Sequence, residues 1–189
     1  HSRGKPLHKD VDLKVVARRT PYFTGADLEN VMNEAAILTA RVGEKQIRMT
    51  AIEEAVTRVM SGPEKRSRKV TDKDRRLVAY HEGGHAMVTY YIPECDDVHE
   101  VTIIPRGQAG GYTMFLPKEE TGYRTANYLS ALIASFMGGR VAEQLVLGEI
   151  STGASSDIKQ ATEIARGMVT EYGMSSSVGP IFLGDEREV

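Results

Sequence analysis

The residues best equipped for chemistry in this chain are His81-Glu82-Gly83-Gly84-His85, inside the run TDKDRRLVAYHEGGHAMVTYY. Leu77, Val78, Ala79, Ala86, Met87 and Val88 flank them with the spacing of a buried helix. Thr71 or Asp72 is a suitable N-cap, and Pro93 marks the end. On such a helix His81 and His85 lie at i and i+4, so both rings leave one face about one turn apart and can grip a single divalent metal. Glu82 stands beside them, close enough to hold and deprotonate a water at that metal. An imidazole pair and a carboxylate on an otherwise apolar helix are costly to bury unless something pairs them, and a metal would. The chemistry implied is hydrolysis.

A catalytic zinc takes three protein ligands and keeps the fourth position for water. Spacing alone does not name the third. His99, Glu119, Glu120, Glu143 and Asp157 all have suitable chemistry. His99 sits in an alternating segment and reads as a strand residue. Glu143 follows Gly138-Gly139-Arg140 on a helical pattern, and Asp157 suits the first turn of a helix, where the dipole favours an acid. From the residues, the choice stays open between Glu143 and Asp157.

The elements that must position these groups are mostly helical. Residues 1–62 carry three short amphipathic patterns. Asp10 or Asp12 caps the first, which runs through Ala17 to Thr20-Pro21. Thr24 caps the second, with Leu28, Val31, Met32, Ala35, Ala36, Leu38 and Thr39 inward and Gly43 as its stop. The third starts at Thr50, turns Ile52, Ala55, Val56 and Val59 inward and ends near Ser61-Gly62-Pro63. Three such helices make a small bundle. Residues 63–70 are charged and non-periodic and read as a linker. After the HEGGH helix, His99–Pro105 alternates as a strand, Arg106–Gly111 is a glycine-rich turn, and Tyr112–Leu116 is a second strand, together a short hairpin. A strand edge beside a metal can hold an extended peptide by its main chain. A helical pattern then spans 121–147, interrupted at Gly138-Gly139, and GEISTGASSD leads into a last helix capped by Ser155 or Ser156 and continuing to Tyr172-Gly173.

The 189 residues, 41% hydrophobic and 26% charged, fit a globular protein of one or two domains. A net charge of −2 offers no electrostatic case for nucleic acid. Cys95 is the single cysteine, so there is no disulfide framework. No apolar run reaches the roughly eighteen residues of a membrane span. The abrupt opening HSRGKPL and the unfinished close MSSSVGPIFLGDEREV suggest an excised piece, truncated at its C-terminus.

VAYHEGGHAMV, VTIIPRGQAGGYTMFLPKEE, FMGGRVAEQLVLGEISTGASSDIKQAT and MVTEYGMS together resemble the peptidase domain of the FtsH family, membrane-anchored, ATP-dependent zinc proteases of the AAA+ class. GKPLHKDVDLKVVARRTPYFTGADLENVMNEAAILTAR resembles the helical lid that ends that family's ATPase domain. The resemblance implies a mostly α chain: a lid bundle at 1–62, a linker at 63–70 and a mainly helical, zincin-like peptidase domain with a short β-hairpin at 71–189. It implies His81, His85 and Asp157 as zinc ligands, Glu82 as catalytic base and Glu143 as a residue orienting a ligand. It implies that Gly110, Gly111, Tyr112, Thr113, Met114 and Phe115 bind substrate, and that His1, Gly25 and Ala26 lie on the adenine side of a nucleotide. ATP and Mg²⁺ belong to the full-length parent only, since no G-x-x-x-x-G-K-[ST] phosphate loop occurs in the chain. By the same resemblance the parent is a homo-hexamer cutting unfolded or membrane polypeptides at the cytoplasmic face of the plasma membrane. Its anchor is absent here, which leaves this piece soluble. No nucleic-acid partner is expected.

Two departures stand out. Gly83 replaces the family's usual alanine, placing Gly83-Gly84 in mid-helix, and Tyr22 stands where a glycine is usual. Two other classes of function also fit the residues: an assembly module that binds without cutting, and a structural zinc site closed by His99 or Glu143.

Overall fold

The computed structural model describes residues 1–21, 23–63, 70–107, 109–118 and 122–184. Tyr22, most of the expected linker, Glu119 and Glu120 lie outside the described residues. The fold is mostly α-helical with one two-stranded antiparallel sheet. The chain divides into two compact units: His1–Arg68 with Ile104–Gly110, and Lys69–Ile103 with Gly111–Val189.

In the first unit, α1 (Leu13–Arg19), α2 (Gly25–Arg41) and α3 (Met49–Ser61) surround a core of Val16, Val31, Met32, Ala35, Ile47, Ile52, Ala55 and Val56. The two candidate caps at the N-terminus have separate tasks. The Asp12 carboxylate accepts from the Lys14 and Val15 N–H groups and starts α1. The Asp10 carboxylate reaches 39 residues along the chain to accept from the Met49 N–H at 3.3 Å, so α3 begins one residue before Thr50. α2 opens on a reciprocal capping box: the Thr24 hydroxyl accepts from the Asp27 N–H at 3.3 Å, and the Asp27 carboxylate accepts from the Thr24 N–H at 2.8 Å. The Ile47 N–H donates to the Pro6 carbonyl and the His8 N–H to the Ile47 carbonyl, closing the bundle with a bridge that no helical period reveals. Arg106, only 6% exposed, donates from both terminal nitrogens of its guanidinium to Glu54 of α3 at 3.2 and 2.8 Å.

The second unit is built on α4 (Asp72–Tyr91) crossing α5 (Ala126–Ala142). The Thr71 hydroxyl caps α4 by accepting from the Asp74 N–H, and α4 ends at Tyr91, with Ile92 as its C-cap just before Pro93. Its inward face is largely polar. His81, Glu82, Gly84, His85 and Thr89 are buried, while Met87, Tyr90 and Tyr91 are 58%, 75% and 71% exposed. α5 accounts for this. It offers the polar face of α4 hydrogen-bond partners, and its glycines let the backbones come close. A Cβ on Gly84 would run into the Gly138 carbonyl, and one on Gly138 would lie 2.6 Å from the Gly84 carbonyl oxygen. Gly138-Gly139 therefore does not interrupt α5, which runs unbroken through both.

β1 (Asp97–Thr102) and β2 (Tyr112–Leu116) pair antiparallel, with Val101 opposite Thr113 and a bulge at His99 between Val98 and Glu100. The first strand is thus two residues earlier than the expected His99–Pro105, and Ile104 and Pro105 fall within the first unit. After α5 the chain widens into a π-helical turn, Glu143–Leu147, and leaves it at Gly148 in a left-handed conformation (φ 70°). A 3-10 turn, Thr152–Ala154, feeds α6 (Ser155–Thr170). Neither Ser155 nor Ser156 caps α6. Ser151 caps the preceding turn instead, accepting from the Gly153 N–H at 3.1 Å, because the 3-10 turn already supplies α6 with its first backbone partners. No helix among the described residues is long and apolar enough to cross a membrane.

Candidate metal centre

The i, i+4 spacing on α4 brings the His81 and His85 rings to 4.7 Å between centroids, with their Nε2 atoms 3.1 Å apart. From the first turn of α6, Oδ2 of Asp157 comes within 3.3 Å of Nε2 of His81 and 3.6 Å of Nε2 of His85. Three ligand atoms on tetrahedral zinc, with bonds near 2.0–2.1 Å, lie about 3.4 Å from one another. The observed separations of 3.1, 3.3 and 3.6 Å bracket that value.

The opposite nitrogens are already committed. Nδ1 of His81 lies 2.7 Å from Oε1 of Glu143, and Nδ1 of His85 lies 2.8 Å from the Ser135 carbonyl oxygen. A carboxylate and a carbonyl oxygen both accept, so on the neutral imidazoles each Nδ1 carries the hydrogen and each Nε2 presents a lone pair. In that neutral form two lone pairs and a carboxylate oxygen converge. That donor set fits a divalent cation.

The electrostatics point the same way. Burial opposes charge on Asp157, but its hydrogen bonds with His81 and His85 outweigh that and hold its pKa at about 2. Burial likewise pulls His81 down, yet Asp157 and Glu143 leave it above the usual 6.5. For His85 the same contest against burial is won by Asp157 and the Ser135 carbonyl. This is a pocket that draws in positive charge.

Both histidines are held from behind. Glu143, 0% exposed, accepts from Ser151 through both its N–H (2.7 Å) and its hydroxyl (3.1 Å) as well as from His81. It thereby ties His81 to the loop that delivers Asp157. Ser135 also meets Thr89 hydroxyl to hydroxyl at 2.6 Å, fixing α5 to α4 one turn beyond His85. Gly139 lies against the rings: a Cβ there would be 2.6 Å from Nε2 of His85 and 2.7 Å from Cε1 of His81. Sequence reasoning missed Ser135, Ser151 and Gly139. Of these, only the paired glycines left a signal, and it was read as a helix break.

Glu82 is buried beside the cluster. Burial raises its carboxyl above the ordinary 4.5, against the lowering effect of Thr113 and the two histidines. Thr113 on β2 donates to Oε2 of Glu82 at 2.8 Å and also lies 3.1 Å from the Glu82 carbonyl oxygen. Gly111 packs on the same helix, where a Cβ would stand 2.7 Å from Val78 and 3.1 Å from Cγ of Glu82. Among the other residues singled out, Tyr112, Met114 and Phe115 lie on β2 with Thr113, whereas Gly110 falls in the first unit. His99 is exposed on β1 and stands outside the cluster, as does Glu143. His1 lies against Gly25 in the first unit, its Nε2 3.3 Å from where a Gly25 Cβ would sit, and Gly25 and Ala26 are exposed.

Comparison with known proteins covers the whole chain. It is 62% identical over 188 residues to a protein of Thermoanaerobacter sp. (strain X514) named ATP-dependent zinc metalloprotease FtsH 1, covering 100% of this chain and 31% of that protein. A relative from Caldicellulosiruptor bescii, named ATP-dependent zinc metalloprotease FtsH, is 58% identical over 188 residues, covering 100% of this chain and 30% of its own length. The Bacillus subtilis protein of the same name is 51% identical over 187 residues, covering 99% and 29%. The chain therefore spans less than a third of the length of these relatives. Residues 10–54 match the AAA+ lid domain. Residues 68–189, a stretch that includes His81, His85, Asp157 and everything that holds them, match peptidase family M41, and the chain belongs to that family.

Proposed function

We propose that this chain is the lid-and-peptidase portion of an ATP-dependent zinc endopeptidase, with a lid at 1–62, a linker at 63–70 and a peptidase domain at 71–189. The observation that carries the reading is the convergence of Nε2 of His81, Nε2 of His85 and Oδ2 of Asp157, each ligand atom within 4.8 Å of the others. Those three residues would hold Zn²⁺. When bound, zinc supplies Lewis acidity, polarising a peptide carbonyl and making water nucleophilic near neutral pH.

The chain's own groups do the rest. Glu143 and the Ser135 carbonyl keep the Nδ1 protons of His81 and His85 in place and their Nε2 lone pairs outward. Glu82 takes the proton from the attacking water and returns it to the departing amine, a role suited to a carboxyl that burial has made more basic. Gly110 to Phe115 receive the polypeptide, β2 by main-chain pairing. Backbone contacts read little sequence, so the preference among unfolded substrates is broad.

His1, Gly25 and Ala26 would form the adenine side of a nucleotide site completed by the rest of the parent protein, where ATP and Mg²⁺ bind. The parent is proposed to be a homo-hexamer at the cytoplasmic face of a membrane, held there by a segment outside this chain. The relatives named as FtsH support this reading.

The test is metal content of the purified chain beside Asp157→Ala. One zinc per chain, lost or much weakened in the variant, supports the site. Equal zinc in both moves the third ligand elsewhere and overturns the assignment.

A further inference from the structure

We infer that Thr113 is a positioning residue that acts through Glu82, a step that rests on the peptidase reading of the site. Thr113 is on the strand expected to receive substrate, yet its side chain is turned to the helix: Oγ1 lies 2.8 Å from Oε2 and 3.1 Å from the main-chain oxygen of Glu82. Both acceptors belong to one residue, so a single hydroxyl anchors the carboxylate and the helix turn that carries it. Glu82 is only 7% exposed, and a buried carboxylate oxygen without a donor is costly, so Thr113 fixes which oxygen faces inward. Among the described residues no other side chain is bonded to that carboxylate.

The strand context makes the grip rigid. Thr113 pairs with Val101 in the ladder, and Gly111, two residues earlier, rests on Val78 and Cγ of Glu82 with no room for a Cβ. Thr113 on β2 and Gly111 just before it thus both lie close to Glu82. Within the stretch proposed to receive substrate by its main chain, the Thr113 side chain is turned to Glu82.

The experiment compares Thr113→Val, which keeps the shape and removes the hydroxyl, with Thr113→Ser, which keeps the hydroxyl, in the zinc-loaded chain on casein. For Thr113→Val we expect kcat to fall on the order of tenfold to a hundredfold, with KM within about twofold and zinc content unchanged. Thr113→Ser should recover to within about threefold of native kcat. A raised KM with native kcat would make Thr113 a substrate contact and overturn the inference, as would native kinetics. A second readout needs no activity: the urea midpoint of Thr113→Val in the native and Glu82→Ala backgrounds. The shift should shrink to about half or less when the carboxylate is gone, and equal shifts would overturn the link. If the native chain holds zinc but cleaves nothing, the peptidase reading fails, and the midpoint comparison still decides whether Thr113 holds Glu82.

Discussion

Glu143 and His81, 62 residues apart, share a 2.7 Å hydrogen bond in which the imidazole donates from Nδ1 to a carboxylate that is 0% exposed. On the proposed reading, a glutamate so placed orients a metal ligand and does not itself bind the metal. Glu143→Ala should weaken zinc binding about 10–100-fold while Zn²⁺ at saturation still occupies the site, as titration against a competing chelator would show. Complete loss of binding at any zinc concentration would instead make Glu143 a ligand.

Glu82 is beside the cluster but not in it. Glu82→Gln keeps the size and the Thr113 contact and removes the base. The variant should bind zinc like the native chain and lose at least about a hundredfold in cleavage of an unfolded protein. Retained cleavage would sink Glu82 as base.

Three glycines near the histidines predict opposite outcomes. A Cβ on Gly83 meets nothing within 4 Å, so Gly83→Ala should stabilise α4 by up to about 1 kcal/mol and raise the melting temperature. Gly84→Ala meets the Gly138 backbone, and Gly139→Ala meets the His81 and His85 rings. Both should lower the melting temperature, and Gly139→Ala should also lower zinc affinity. Calorimetry with and without zinc separates the two effects.

Arg106 and Glu54 predict an acid-sensitive element of the first unit. Burial alone would raise the Glu54 carboxyl, but hydrogen bonds from Arg106 and Arg58 outweigh it and set the folded pKa below 4.5. A carboxylate depressed on folding contributes stability that is fully present above 4.5 and is lost as pH falls through the lower folded value. Arg106→Met should therefore be less stable than native at neutral pH, with the gap closing below about pH 4.5. A gap independent of pH in urea titrations would mean that packing, not the ion pair, is what Arg106 provides.

How much was legible in the sequence differs between local and distant relationships. Helix starts set by side chains a few residues away were readable: Thr24 with Asp27 and Thr71 with Asp74 bond within one turn, so the chain's order determines them. The pairing of His81 with His85 around Glu82 is of the same kind, because i, i+4 geometry follows from helical pitch alone. The mostly helical fold with one hairpin followed from the same periodicities.

What only the tertiary structure decided lies between elements. Glu143 and Asp157 were chemically equivalent candidates; the π-helical turn puts Glu143 behind His81, and the 3-10 turn into α6 brings Asp157 in front. The spacing put His81 and His85 on one face of α4 but could not say what that face meets; Gly84, Gly138 and Gly139 allow a close crossing with α5 that supplies its partners. The Ser135 carbonyl is invisible to any reading by residue type, since every residue has one. Sequence spacing constrains groups carried by the same turn of helix; which groups from separate helices meet depends on how closely and at what rotation those helices pack.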